Sequence, residues 1–368
     1  MHQVKPSKKG KTVRNISKRL LFNLIFWCLV FIFILAVRYY DIGKIAFINL
    51  PVHIPTSRII VNGLILGISI GFFYTLVESW LESQELYHHS LGMIILLRTS
   101  YLFLVSGVVL SVVAFLNYLM DVKQDNINEL VTNPLTYIFS ATVRFLLIGA
   151  LVGNFILSIF HTLRAKIGSQ DFNNLLTGKY REPKVENRAF MFLDLKSSTT
   201  IAEELGHRLY SQLIRDCFRD LSSSLVKTKA QVYQYVGDEA VLSWTLKNAL
   251  EEENCINAYF HFKEELEQKK EYYQQTYGLQ PVFKAGVNIG LVTVVEVGVL
   301  KRTIVYHSDV LNTAARIQSL CNQYQRLLLV SEAIKNQIGE GKFSFELIGD
   351  VLLKGKTKNV KIYAVEQI

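Results

Sequence analysis

From Leu20 to Val37 the chain is an almost unbroken series of Leu, Ile, Phe, Val and Trp, about the length needed to cross a hydrocarbon core of ~30 Å. A stretch this apolar restricts the fold more than any other feature, because its backbone has to satisfy itself as a helix out of water. Three further runs predict helices of the same kind, at about Ile59–Val77, from Leu91 or Thr99 to Leu119, and at about Tyr137–Leu163. The hydrophobic share of the whole chain is 50%, high for a chain that stays in water. A cleaved secretory leader is the competing reading of the first run. No small-residue cleavage site follows it, and Arg38-Tyr39-Tyr40 resembles an interfacial end.

Four crossings return the chain to its starting side. The basic arm of Lys5, Lys8, Lys9, Lys11, Arg14, Lys18 and Arg19 then shares the cytoplasm with Arg164, Lys166, Lys179 and Arg181, as the positive-inside tendency requires. That placement explains much of the formal charge of +9 and removes the reason to expect a nucleic-acid partner. The expected setting is the cell inner membrane, with the bilayer as partner and both termini cytoplasmic. Cys28, Cys217, Cys255 and Cys321 show neither paired nor zinc-like spacing, which fits a reducing compartment. The expected organisation is a basic arm (1–19), a membrane domain (20–163), a coupling segment (164–183) and a soluble catalytic domain (184–368).

Within the membrane domain, Gly63, Gly67 and Gly71 fall four apart, as do Gly149 and Gly153, making flat faces on which helices of this or another chain can approach closely. Arg98 and Arg144 are ionisable groups in apolar runs; either could snorkel to an interface, and only Arg144 lies deep enough for a functional reading to compete. The segments 39–57 and 120–134 are too short for a sensory domain of ordinary size, so a stimulus would act in or near the membrane. In the coupling segment, Ile167, Phe172, Leu175 and Leu176 are expected to share one helical stripe.

The soluble half opens on AFMFLDLKSSTTI, where the apolar run Phe190–Leu193 reads as a buried strand surfacing at Asp194. A second strand, 232–236, ends in Gly237-Asp238. If the two acids meet, their repulsion calls for divalent cations, and Mg²⁺ takes one or two carboxylates plus substrate phosphates. Turn or helix-cap residues remain the plain alternative, with Ser197 and Ser198 available as caps.

A helix at Thr200–Val226, a hairpin through Gly237-Asp238, a helix at about Leu250–Tyr277 and a second hairpin, Val282–Ile289 with Leu291–Val297, predict an α+β sandwich with a mostly antiparallel sheet. Asn312 and Arg316 lie four apart on one helical face, suited to developing phosphate charge or simply to solvent. Lys354 and Lys356 flank Gly355, as in a turn that holds terminal phosphates or in a solvated hairpin.

FLDLKSST, YVGDE, VLNTAAR and LKGK, in this order over 183–368, resemble the motifs of class III nucleotide cyclases. The resemblance implies a ferredoxin-like catalytic core that forms a 3′,5′-cyclic nucleotide and pyrophosphate from a nucleoside triphosphate, using two Mg²⁺ or Mn²⁺ ions per site. It places Asp194, Leu195 and Asp238 in the metal set and has Asn312 orient the ribose. Arg316 would then stabilise the transition state, and Lys354, with Lys356 beside it, would grip the terminal phosphates. In that family the site lies between two such domains, so a homodimer is implied. Gln234 stands where the family has Lys or Glu, and Val305 where it has Asp or Cys; His307 and Thr303 lie close enough to substitute. Neither position decides the base, and ATP is preferred over GTP only as the commoner family substrate. The remaining alternatives are a guanylate cyclase, a catalytically silent membrane receptor or scaffold of the same fold, and an anion transporter.

Overall fold

The computed structural model describes residues 8–39, 56–83, 90–123, 141–300, 302–339, 341–352 and 359–368. It falls into two compact units, Met1–Ser169 and Gln170–Ile368.

The first unit contains helices α1 (Lys8–Tyr39), α2 (Thr56–Ser83), α3 (Leu91–Lys123) and α4 (Ala141–Ile167). Among the described residues, four stretches are long and apolar enough to cross a membrane: Arg19–Val37, Ile60–Trp80, Leu91–Leu116 and Val143–Ile167. Phe33, Leu104, Val108 and Ile148 are exposed on the outside of the bundle, where an aqueous protein would place polar groups. The glycine faces are used inside the chain. A Cβ on Gly67 would lie 2.4 Å from Cys28 Cα, and one on Gly71 2.9 Å from Leu24 Cα, so α1 seats directly on the backbone of α2. Gly153 likewise leaves room for the indole of Trp27.

The two arginines exchange the parts expected of them. Arg144 is exposed, because it lies roughly 100–160° around the helix from the inward residues Val143, Leu146 and Ala150. Arg98 is the inward one: its Nη1 lies 3.9 Å from Glu78 Oε1, and His161 Nδ1 approaches the same oxygen at 3.5 Å. Three helices thus pool their ionisable groups, which spares each an isolated charge in lipid. Asn23 adds a hydrogen bond to Thr75 Oγ1 at 3.0 Å between α1 and α2.

The second unit opens with α5 (Ser169–Thr177), separated from α4 by Gly168 at φ 92°. This break corrects the expected continuous stripe. Phe172 is buried and Leu175 packs against the core around Tyr180 and Phe190, whereas Ile167 and Leu176 are exposed.

Among the described residues, eight strands follow: β1 (Lys184–Leu195), β2 (Gln231–Val236), β3 (Glu239–Thr245), β4 (Phe283–Val297), β5 (Thr303–His307), β6 (Leu328–Ser331), β7 (Phe343–Val351) and β8 (Val360–Gln367). They form one sheet in the order β2-β3-β1-β4-β6-β8-β7, with β5 paired to the far end of β4. Only the β4–β6 pairing is parallel among these ladders. β1 is apolar on both faces: Met191 and Leu193 enter one core, Phe190 and Phe192 the other, each worth about 1.5–3 kcal/mol when fully buried. The first core lies under α6 (Ser198–Thr228), α7 (Leu246–Leu250), α8 (Asn254–Gln268) and α9 (Lys270–Tyr277); the opposite face carries α10 (Asp309–Ser319). A short helix, α11 (Glu332–Ile338), follows β6.

Three local expectations are corrected. The helix expected over Leu250–Tyr277 is divided, with a 3₁₀ turn at Glu251–Glu253 and a break at Lys269. Ser197 precedes α6 in a left-handed conformation (φ 59°), and its side chain makes no capping bond. The hairpin expected to turn at Gly290 is instead the single strand β4, in which Gly290 pairs with Arg188 of β1.

That glycine serves helix packing: a Cβ there would meet Val310 Cγ2 of α10 at 2.7 Å. Gly286 is tighter, since its Cβ would lie 2.2 Å from Gln318 N and 2.5 Å from Ala314 O. Because backbone atoms form this wall, Gly286→Ala is expected to destabilise the chain by about 1–3 kcal/mol. A lowered melting temperature of the purified protein checks it.

Candidate active site

β1 ends at Asp194 and Leu195, and the β2–β3 turn holds Gly237 (φ 62°) and Asp238. Antiparallel pairing sets Asp194 opposite Glu239, so Asp238 emerges at the same rim. β3 is the direct neighbour of β1, with β2 one strand further out. The Asp194 carboxyl is near enough to Asp238 to feel its charge. The Leu195 side chain is buried, leaving its carbonyl as the group able to face a ligand.

Two residues that local sequence patterns do not mark hold this rim. Lys284 on β4, opposite Asp194 in the ladder, places Nζ 3.2 Å from Asp194 Oδ2. Gln318 Nε2 of α10 donates to the same oxygen at 3.0 Å. Burial, more than the nearby Asp238 charge, raises the Asp194 carboxyl above its usual range, against the pull of Lys284. Glu239 is pushed up to about 7, by burial first and then by the charges of Asp194 and Asp238.

The set suits a divalent cation. Asp238 Oδ2 is buried without a hydrogen-bond partner, and the acid cluster is over-supplied with negative charge. Among the described residues no group of three or more His, Cys, Asp or Glu is placed to hold a metal ion by itself. Because Glu239 titrates above its ordinary 4.5, the folded, metal-free chain binds more protons than the unfolded one between the two values. Its stability is therefore highest below that window and falls as pH rises through it. Thermal melting from pH 5 to 7 checks this, and added Mn²⁺ is expected to flatten the slope.

α10 carries Asn312 and Arg316 away from the sheet while Thr313, Ala314, Ile317 and Gln318 are buried. Ser308 starts the helix, accepting from Val310 N at 3.1 Å and donating to Leu291 O at 2.8 Å. Asn312 is exposed, whereas Arg316 is half-buried, with Nη1 enclosed and unpartnered. Gln234 is exposed on β2 and Val305 half-buried on β5. Their neighbours Tyr233 and Tyr306 meet edge-to-face at 4.9 Å, which brings the two strands together over the same face. Thr303 and His307 are exposed on β5. Lys354 and Lys356 lie outside the described residues.

Residues 180–367 match the family described as the adenylate and guanylate cyclase catalytic domain. The chain belongs to that family. Residues 180–367 thus come from a family of lyases. The chain is 30% identical over 204 residues to adenylate cyclase 2 of Rhizobium meliloti, covering 55% of itself and 56% of that relative; it therefore spans little more than half of that protein. A bacterial light-regulated adenylyl cyclase shares the fold at 19% identity, with a TM-score of 0.51 over 60% of this chain and 64% of the other. The adenylyl cyclase CyaB from P. aeruginosa aligns at 20% identity and a TM-score of 0.44, over 51% of this chain and 97% of that one.

Proposed function

We propose that the chain is a membrane-anchored nucleotide cyclase that converts a nucleoside triphosphate, ATP as the first choice, to its 3′,5′-cyclic nucleotide and pyrophosphate. The reading rests above all on Asp194 and Asp238 standing at the same rim, set by the pairing of Asp194 on β1 with Glu239 on β3. Asp194, Asp238 and the Leu195 carbonyl would hold Mg²⁺ or Mn²⁺, two per site. The bound ions supply a lowered pKa for the ribose 3′-oxygen and neutralise charge on the triphosphate.

This chain's own groups do the rest. Asn312 orients the ribose so that the 3′-oxygen stands in line with the α-phosphorus and the departing pyrophosphate. Arg316 presents an unpaired planar donor to the charge that develops on the α-phosphoryl oxygens. Lys354 and Lys356 take the terminal phosphates, while Gln234 and Val305 face the base. The 3′-hydroxyl proton leaves as the new P–O bond forms, and no protein nucleophile enters the sequence.

The acids of one subunit and the Asn–Arg pair of another would complete each site, giving a homodimer with two equivalent centres. The four apolar helices seat it in the cytoplasmic membrane with both termini inside. Purified full-length chain supplied with Mn²⁺ and ATP, GTP, CTP or UTP in turn tests the reading through the identity of the product. Absence of a cyclic nucleotide from all four would overturn it.

A further inference from the structure

The catalytic unit buries an arginine that the cyclase chemistry leaves unused. Arg188 of β1 has a side chain only 1% exposed. Its Nη1 donates to Glu186 Oε2 at 3.1 Å, and its Nη2 to Gln231 Oε1 at 2.7 Å and Ser243 Oγ at 3.2 Å. The guanidinium lies over the Tyr306 ring, 4.9 Å from its centroid, while Nε finds no partner. A lone buried charge is costly, so four partners on four strands show that the fold is built around this group.

Its contacts join two regions. On one side are the strands of the base pocket: Gln231 opens β2, which carries Gln234, and Tyr306 follows Val305 on β5. Tyr306 closes the link between them by meeting Tyr233. On the other side is α5, the first element after the last apolar helix. Gln231 donates to Gln170 of α5, and the Asp171 carboxylate is near enough to feel the guanidinium charge. Glu186 also accepts from Lys179 Nζ and from Tyr180 OH, each at 2.8 Å, and Tyr180 O accepts from Glu296 N of β4 at 2.8 Å. The segment that enters from the membrane helices is thereby fastened to the strands that carry the base-facing positions.

We propose that Arg188 is a positioning residue that ties α5 to β2 and β5, so that the seating of α5 sets how the pocket discriminates between bases. The assignment takes the meaning of Gln234 and Val305 from the cyclase reading above. It predicts an effect on nucleotide selection, where a purely structural arginine would only lower the fraction of working protein.

The test uses the full chain in lipid vesicles with Mn²⁺. Affinities for ATP and GTP labelled on the ribose, which bind but cannot cyclise, are measured beside KM and kcat for the unlabelled triphosphates. Arg188→Met is expected to change the ATP-to-GTP affinity ratio about tenfold, with kcat at saturation changed less than about twofold. Arg188→Lys, which keeps charge but loses the planar fork, should recover part of the ratio. Tyr306→Leu and Gln231→Leu remove one strand contact each and report independently if Arg188→Met does not fold. An unchanged ratio in the variants that fold overturns the proposal. A wild-type chain that binds nucleotides without forming product overturns the cyclase reading alone, because the binding ratio still decides this one; failure to bind either nucleotide overturns both.

Discussion

Asp194→Asn in the full chain is expected to cut cyclic-nucleotide formation at least ~10³-fold while leaving the fold in place. Asn keeps the shape and can still meet Gln318, but it gives up the negative charge that Lys284 and a cation would share. Divalent ions contribute several kcal/mol to such a transition state, and about 4 kcal/mol corresponds to three powers of ten. Asp194→Ala should lose as much activity and also some stability, since it leaves the Lys284 side chain, 10% exposed, without its carboxylate. Asp194→Asn that melts like wild type and retains more than roughly a tenth of the product would remove the metal reading.

Arg316→Ala is expected to lower kcat about 10²–10³-fold, the usual cost of deleting a donor aimed at developing oxyanion charge. KM should move far less, because the missing interaction belongs to the transition state. The enclosed Nη1, a donor with no hydrogen-bond partner, motivates the prediction. Arg316→Lys should fall between the two, restoring charge without the bidentate fork. Co-expression of the Asp194→Asn and Arg316→Ala chains separates two arrangements of the site. Sites shared between subunits give mixed dimers one intact centre, so random pairing should restore about a quarter of wild-type activity. Sites complete within one chain would restore none.

β1 and its acid are legible in the sequence because four consecutive apolar residues closed by Asp fit a buried strand that surfaces at its last residue, and Gly237-Asp238 marks the β2–β3 hairpin as plainly. The misreadings share a cause. Gly290 looks like a turn because local rules see only the chain, yet it is small to admit Val310. Lys284 and Gln318 escape such rules because their partner Asp194 lies 90 and 124 residues away, joined by strand register and helix docking that no local pattern encodes. Arg98 and Arg144 differ in the sequence only by depth along an apolar run, whereas the face of the helix decides burial. Arg188 carries no motif at all, and its role depends on four strands meeting.

The close seating of α10 has a mechanical consequence. With the backbone of α10 this close over Gly286, the helix has little room to slide or roll against β4. Asn312 and Arg316 therefore travel with the sheet as one solid piece. A signal that acts on this pair would then have to move α10 and β4 together.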